Sequence, residues 1–363
     1  TVSNYMENYI KNGIVSERGY DTSTGGRRPV LVEMNPNAAD VIGIGLNISD
    51  ILGVVVDLKT KVIHEIRIER PSGRSEEIID HIKIVVERLL EKASAIKDRI
   101  YGIGLGIPGI IDIQGHTVRW PIGPLGMEDT FISVSIKEIF ENKFNMPVLV
   151  KNDGDCGGFG EKWRGLGPER KNMLYMYCGV SCGIMMEGKI YEGTTGVAGE
   201  LGICNFEKQT PKDITEASYQ LGRWDMELGM LRQVKEREFF EKNKNLIIYQ
   251  LAGNDPEKIV FNTIVEAVKA KDKFAIELVE RAGENLGKKV AFLVNLLNPE
   301  IVIIGGGIER AGVTLLDAIK KSTKKWALDE ATRSLKILPA QLGDSAVALG
   351  SAALVLRNLY AQA

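Results

Sequence analysis

Asn152 and Asp153 lie where a predicted strand ends and a helix begins, the place at which α/β folds present groups to a ligand. A carboxylate there can take the proton of an attacking hydroxyl, or it can simply bind that hydroxyl. It can equally cap the helix, since Asp and Asn are favoured N-caps. Glu200 is a second acid, set in the string Gly196-Val-Ala-Gly-Glu-Leu-Gly202. Taken alone, a Glu among loop glycines is more often a solvated surface group than a ligand. One other string, Gly305-Gly306-Gly307, could bear on phosphate chemistry, because close backbone approach to phosphate needs small residues with available N–H groups. The three glycines are equally accounted for by a tight strand-to-helix connection.

The elements that would position these groups follow from hydrophobic periodicity. Residues 1–12 carry Val2, Met6, Tyr9 and Ile10 at helical spacing, stopped by Asn12-Gly13. An extended piece begins at Ile14 and Val15, a flexible turn falls at Gly25-Gly26, and a strand resumes at Val30. Three consecutive strands are predicted at 41–47, 52–58 and 62–68, followed by an amphipathic helix over 76–95. A buried strand at 100–107, a helix at 135–144 and a strand at 148–151 complete a first mixed α/β unit. A similar order restarts at Asn172, with strands at 173–178 and 183–186, one long helical stretch over 258–297 and a strand at 301–304. The halves read as diverged copies of one unit facing each other across a cleft. A last Ala- and Leu-rich helix, 345–360, returns to brace the first half.

Composition bounds the class. The 363 residues, 44% hydrophobic and 26% charged, suit a globular chain with two substantial cores. The 46 basic and 48 acidic residues nearly cancel, which neither requires nor excludes nucleic acid, because a binding face can be local. No apolar run is long enough for a membrane span, and no membrane partner is expected. Cys156, Cys178, Cys182 and Cys204 form no CxxC pair, as expected of reduced thiols in a cytoplasmic protein. The chain opens at Thr1 inside a helical pattern, so residues upstream are expected.

Several strings in order resemble the ROK family (repressor, open reading frame, kinase) over essentially the whole chain. They are the segment from Gly102 through Pro108-Gly109 to Asp112, Lys151-Asn152-Asp153 with Gly160-Glu161, the Gly196–Gly202 string, and Asn295-Leu-Leu-Asn-Pro-Glu300 leading to Gly305-Gly306-Gly307. The resemblance implies a two-lobed α/β body of the actin-like, sugar-kinase type, a duplicated ribonuclease H-like unit. It further implies that Asp153, the kinases' general base, faces a sugar hydroxyl with Asn152 and Glu200 beside it. Asp225, in Gly222-Arg223-Trp224-Asp225, stands for a further sugar-binding acid. The implied segments are a partial winged helix-turn-helix at 1–36, a first lobe at 37–153 completed by the helix at 345–363, and a second lobe at 154–344.

The departures from the family are informative. Where the kinases read Asp-x-Gly-x-Thr, this chain has Gly45-Leu46-Asn47-Ile48-Ser49, without the carboxylate and with Asn where backbone approaches phosphate. The family's Gly-Thr-Gly phosphate loop corresponds to Tyr177-Cys178-Gly179, where a bulky Tyr and a Cys obstruct backbone approach. Phosphoryl transfer depends on positioning and charge neutralisation, so weak or absent ATP binding is expected and no nucleotide or other cofactor is invoked. The family's zinc-binding His and Cys run is missing as well: Ile203 replaces the His, and Cys204 stands alone. Tetrahedral zinc needs four such ligands, so no metal is expected.

In ROK regulators a winged helix precedes the body, and Thr1-Val2-Ser3-Asn4 resembles the start of its recognition helix. Thr1, Ser3 and Asn4 would face the major groove. Arg27 and Arg28, behind Gly25-Gly26, would enter a minor groove, although an Arg-Arg pair alone fits a solvated loop. The expectation is a sugar-responsive regulator, a repressor acting as a homodimer on an operator, with a sugar as effector. An active ATP-dependent sugar kinase is the alternative, and a sugar-binding protein without a DNA role a third.

Overall fold

The structure, a computed structural model, describes residues 2–20, 30–47, 49–71, 75–112, 114–121, 131–167, 169–201 and 230–362. It begins with helix α1 (Val2–Lys11) and a two-stranded antiparallel ribbon, β1 (Val15–Tyr20) with β2 (Val30–Met34). The body then opens on β3 (Asp40–Leu46), β4 (Asp50–Asp57) and β5 (Val62–Glu69), followed by α2 (Ser75–Lys92) and β6 (Ile100–Ile107). A small sheet of β7 (Ile110–Ile111), β8 (Val118–Pro121) and β9 (Phe131–Val134) precedes α3 (Ile136–Phe144), β10 (Val148–Asn152) and α4 (Asp153–Arg164). The second half carries β11 (Met173–Tyr177), β12 (Ser181–Met186) and β13 (Lys189–Ile190). Helices α5 (Met230–Lys235), α6 (Arg237–Asn243), α7 (Ile247–Leu251), α8 (Phe261–Lys269) and α9 (Lys273–Leu297) follow. The order closes with β14 (Ile301–Gly305), α10 (Val313–Trp326), α11 (Asp329–Thr332), β15 (Lys336–Pro339) and α12 (Ala346–Gln362).

The internal duplication is visible in the sheets. One runs β10-β6-β3-β4-β5 and the other β13-β12-β11-β14-β15. In each, an antiparallel meander of three strands is extended by two strands parallel to its first member. The predicted α/β architecture of two related units is therefore observed. Every residue of β3, β11 and β14 is buried, as expected of strands covered on both faces. Helix α2 buries the predicted Ile79, Ile82, Val85, Val86 and Leu89 against the first sheet.

One predicted element is corrected. The stretch 258–297 is not a single helix, because Lys271 adopts φ 60° and Asp272 restarts the chain as the N-cap of α9. The Asp272 carboxylate accepts from the amides of Phe274 (2.9 Å) and Ala275 (3.2 Å), and also from Ile248 of α7 (3.0 Å). That cap holds the helical layer together.

Helix α12 lies on the other face of the first sheet. Its Ala348, Leu349, Ala352, Val355 and Leu356 share a core with Val41, Leu52, Val54, Val56 and Leu58. The approach is close enough to fix residue types, since a Cβ on Gly45 would stand 2.8 Å from the Ala348 amide nitrogen. Gly45 is glycine because α12 leaves no room for a carboxylate there. Ile14 joins the same core, the Tyr9 hydroxyl donates to the Tyr360 carbonyl (3.0 Å), and the Tyr360 hydroxyl donates to that of Leu58 (2.8 Å). The apolar residues of α1 divide between the body and the surface. Tyr9 packs on the body, whereas Val2 is 80% exposed and Ile10 is also exposed. No element among the described residues covers them.

Candidate functional site

The carboxyl ends of β10 and β6, the start of α4 and the turns following β3 and β11 converge at the cleft. Asn152, rather than Asp153, caps α4: its Oδ1 accepts from the Gly154 amide (2.8 Å). Its Nδ2 donates to Glu200 Oε1 (3.0 Å) and to the Gly109 carbonyl (3.2 Å). The Gly109 loop is held in turn by buried Trp120, whose Nε1 donates to the Pro108 carbonyl (2.7 Å). Asn152 therefore ties three segments far apart in sequence to one point.

Asp153 is the first residue of α4 and is 2% exposed. Its Oδ1 accepts from the Gly154 amide (2.7 Å) and the Ser181 hydroxyl (3.0 Å). Burial raises its pKa to about 6 against these stabilising bonds and the nearby Arg70 charge. Asp155 is also buried, and its pKa is pushed up to about 8 by burial first and then by Glu192. Lys151 pairs with Glu192 and partly offsets that rise. Glu200, partly buried, is pushed up to about 8 by burial and by Asp153 and Asp155. The predicted trio Asn152, Asp153 and Glu200 is thus brought together. Asp225, Ile203, Cys204, Arg27, Arg28 and Thr1 lie outside the described residues. Asn4 lies on α1, exposed and remote from this site; Ser3 is on the same helix.

The raised carboxylates carry a pH dependence whose sign follows directly. Between their ordinary range and about pH 8, folded Asp155 and Glu200 hold protons that the unfolded chain has released. Stability therefore falls as pH rises across that window. Thermal melting is expected several degrees lower at about pH 8.5 than at about pH 6, with a flatter slope in Glu200→Gln. A melting temperature that climbs over this range would contradict the arrangement.

Groups that sequence reasoning did not single out complete the site. Arg70, which follows β5, is buried, and its Nη1 donates to the Asn47 carbonyl (2.7 Å). Burial lowers its pKa, and the nearby Tyr177 and Asp153 oppose that shift. Asn47 Nδ2 donates to Asp50 Oδ1 (2.9 Å) and to the Asp344 carbonyl (3.1 Å). The amide side chain at the expected phosphate turn is therefore used to lock the turn against the start of α12. The opposite turn is similarly occupied. Cys178 takes φ 50°, its thiol donates to the Gly306 carbonyl (2.8 Å), and the Gly307 amide donates to Glu309 (2.8 Å). Burial raises Glu309 to about 7, which sets an acid where a kinase would offer N–H groups. Cys156, Cys178 and Cys182 are buried thiols, and none of them is joined in a disulfide. No cluster among the described residues has the makings of a metal site, and no helix there is long and apolar enough to cross a membrane.

Comparison with known proteins gives this geometry its context. The model of the ROK family matches residues 41–215 and 242–358. A xylose repressor from Caldicellulosiruptor bescii is 30% identical over 368 residues, covering 99% of this chain and 88% of the repressor. A glucokinase from Halalkalibacterium halodurans is 31% identical over 291 residues, covering 77% of this chain and 83% of the enzyme. Among solved structures, a ROK family transcriptional regulator described as a homologue of the Escherichia coli MLC protein superposes with a TM-score of 0.72. It is 20% identical and covers 99% of this chain and 88% of that one.

Proposed function

The chain belongs to the ROK family, and from that membership we propose that it is a sugar-responsive, DNA-binding transcriptional repressor whose sugar-kinase body serves as the effector sensor. The carrying observation is coverage. The match to the xylose repressor spans 99% of this chain, whereas the glucokinase match spans 77%, and α1 with its ribbon precedes the start of the family match at residue 41. That segment is read as part of a winged helix (residues 1–36) presenting Thr1, Ser3 and Asn4 to the major groove and Arg27 and Arg28 to a minor groove. The body is divided into lobes at 37–153, completed by 345–363, and 154–344. The working form is a cytoplasmic homodimer.

The effector enters between the lobes and meets Asn152, Asp153, Glu200 and Asp225, and D-xylose is the first sugar to test because a relative matched over 99% of this chain is a xylose repressor. Sugar acts on DNA binding only if it binds the free and operator-bound forms with different affinity. Anisotropy titrations of an operator fragment should show a tenfold or larger shift in affinity with saturating xylose or another single pentose or hexose, on the order of the couplings usual for such switches. An operator affinity that ignores a broad panel of neutral sugars would reject the proposal.

A second reading, an ATP-dependent sugar kinase, draws on Asp153 and on the glucokinase relatives. The locked Asn47 and Cys178 turns weigh against it. ADP release coupled to the same sugar panel separates the two, and sustained turnover would favour the kinase.

A further inference from the structure

The closed end of the cleft contains a polar group that none of the interactions above uses. Tyr177, the last residue of β11, is 2% exposed, and its hydroxyl has no hydrogen-bond partner. Side chains two apart on a strand share a face, so Tyr177 points to the same side as Tyr175. The Tyr175 ring lies against Gly157 of α4 and its Cβ against Gly158. One step further along the strand, the same direction leads to the start of that helix. The Tyr177 hydroxyl is accordingly close enough to Asp153 and Arg70 for both charges to act on it. Its ring is wedged against the glycine turn, with Cδ2 3.0 Å from where a Cβ on Gly306 would stand. A buried hydroxyl without a partner costs about 1–3 kcal/mol, which a ligand group can relieve.

Resting on the sensor reading above, we propose that Tyr177 sets effector specificity: its hydroxyl bonds the same sugar hydroxyl that Asp153 binds, while its ring fills the space a nucleotide's terminal phosphate would need. The occupant is then an unphosphorylated sugar. Charge agrees with this choice, because Asp153 lies opposite Arg70, and Asp155 and Glu192 accompany Lys151. A phosphate dianion added there would face the Asp153 and Glu192 carboxylates with both cations already engaged. The backbone and side-chain donors that might have held it, at Asn47 and Gly307, are committed to Asp50, Asp344 and Glu309.

The test uses calorimetric titration of the full-length chain with D-xylose, D-glucose, glucose 6-phosphate and magnesium–ATP, alongside thermal melting without ligand. Wild type is expected to bind one of the neutral sugars and neither phosphate compound. Tyr177→Phe should bind that sugar about tenfold more weakly, the loss of one hydrogen bond, while melting at or above the wild-type temperature because an unpartnered buried hydroxyl is gone. Tyr177→Gly, which removes ring and hydroxyl together, should lose at least as much sugar affinity as Tyr177→Phe, and sugar binding at the wild-type level in this variant would also overturn the assignment. Equal sugar affinity in wild type and Tyr177→Phe would overturn the assignment and leave the sensor reading standing. So would tight binding of glucose 6-phosphate or ATP by wild type. A wild-type chain that binds neither sugar would sink both.

Discussion

Asp153→Asn is expected to leave the sugar-free protein folded and melting no lower than wild type at about pH 8, yet to make it far less sensitive to sugar. The two halves of that result share one cause. Asp153 is 2% exposed, and burial lifts its carboxyl to about 6. Above that pH the folded chain carries a charge that it holds less comfortably than water would, so the carboxylate costs stability. Asn keeps an oxygen able to accept from the Ser181 hydroxyl and the Gly154 amide, and it has no charge to desolvate. What it loses is the proposed charge-assisted bond to a sugar hydroxyl, worth about 1.5–3 kcal/mol. Half-maximal release of operator should therefore need roughly 10- to 150-fold more sugar, while operator affinity without sugar stays near the wild-type value. Stability given up for a binding group is common at functional sites. If Asp153→Asn responds to sugar at the wild-type concentration, Asp153 is not the sugar's acceptor, whatever the melting curves show.

The parts of this arrangement that were legible in the sequence are those governed by local pattern. Most strands of both sheets announce themselves as apolar runs, the edge strands β13 and β15 excepted, α2 by its helical stripe, and the start of α4 by Asn-Asp after a strand. The break inside the stretch 258–297 had a signal as well, since Asp272 is a favoured N-cap residue. The apolar stripe of α8 running into that of α9 outweighed it. Non-local relations were not legible. Arg70 and Tyr177 meet Asp153 from opposite sheets, and nothing in their own neighbourhoods marks them for a shared site. Asp155 reads as an ordinary first-turn acid until Glu192 and Lys151 are folded beside it. Gly45 was read for the carboxylate it lacks. The fold adds a steric reason, because α12 excludes every side chain there.

That same helix carries the largest stability effect expected of a single methyl group. On Gly350 of α12, a Cβ would stand 2.6 Å from the Cys156 carbonyl carbon and 2.9 Å from the Gly160 amide nitrogen, and closer still to the Cys156 oxygen. The obstruction is backbone of α4, which cannot rotate away as a side chain would. Gly160 makes the reciprocal approach, its own Cβ position lying 3.1 Å from the Gly350 amide nitrogen. Helix α4 is further tied down by Glu161, which accepts from the Leu342 amide (2.7 Å) just ahead of α12. Gly350→Ala must therefore prise the two helices apart, at a cost of about 2–3 kcal/mol or more for overpacking. At about 2–4 °C per kcal/mol, the melting temperature should fall by roughly 5–10 °C. The displacement also reaches the proposed sugar site, because Asp153 sits at the amino end of α4. Sugar affinity in Gly350→Ala should drop even at temperatures where the protein is fully folded. A variant that melts like wild type would mean that α4 and α12 do not cross at glycine contact. A variant that melts early yet binds sugar normally would show that the start of α4 is positioned by Asn152 and its partners, independently of α12.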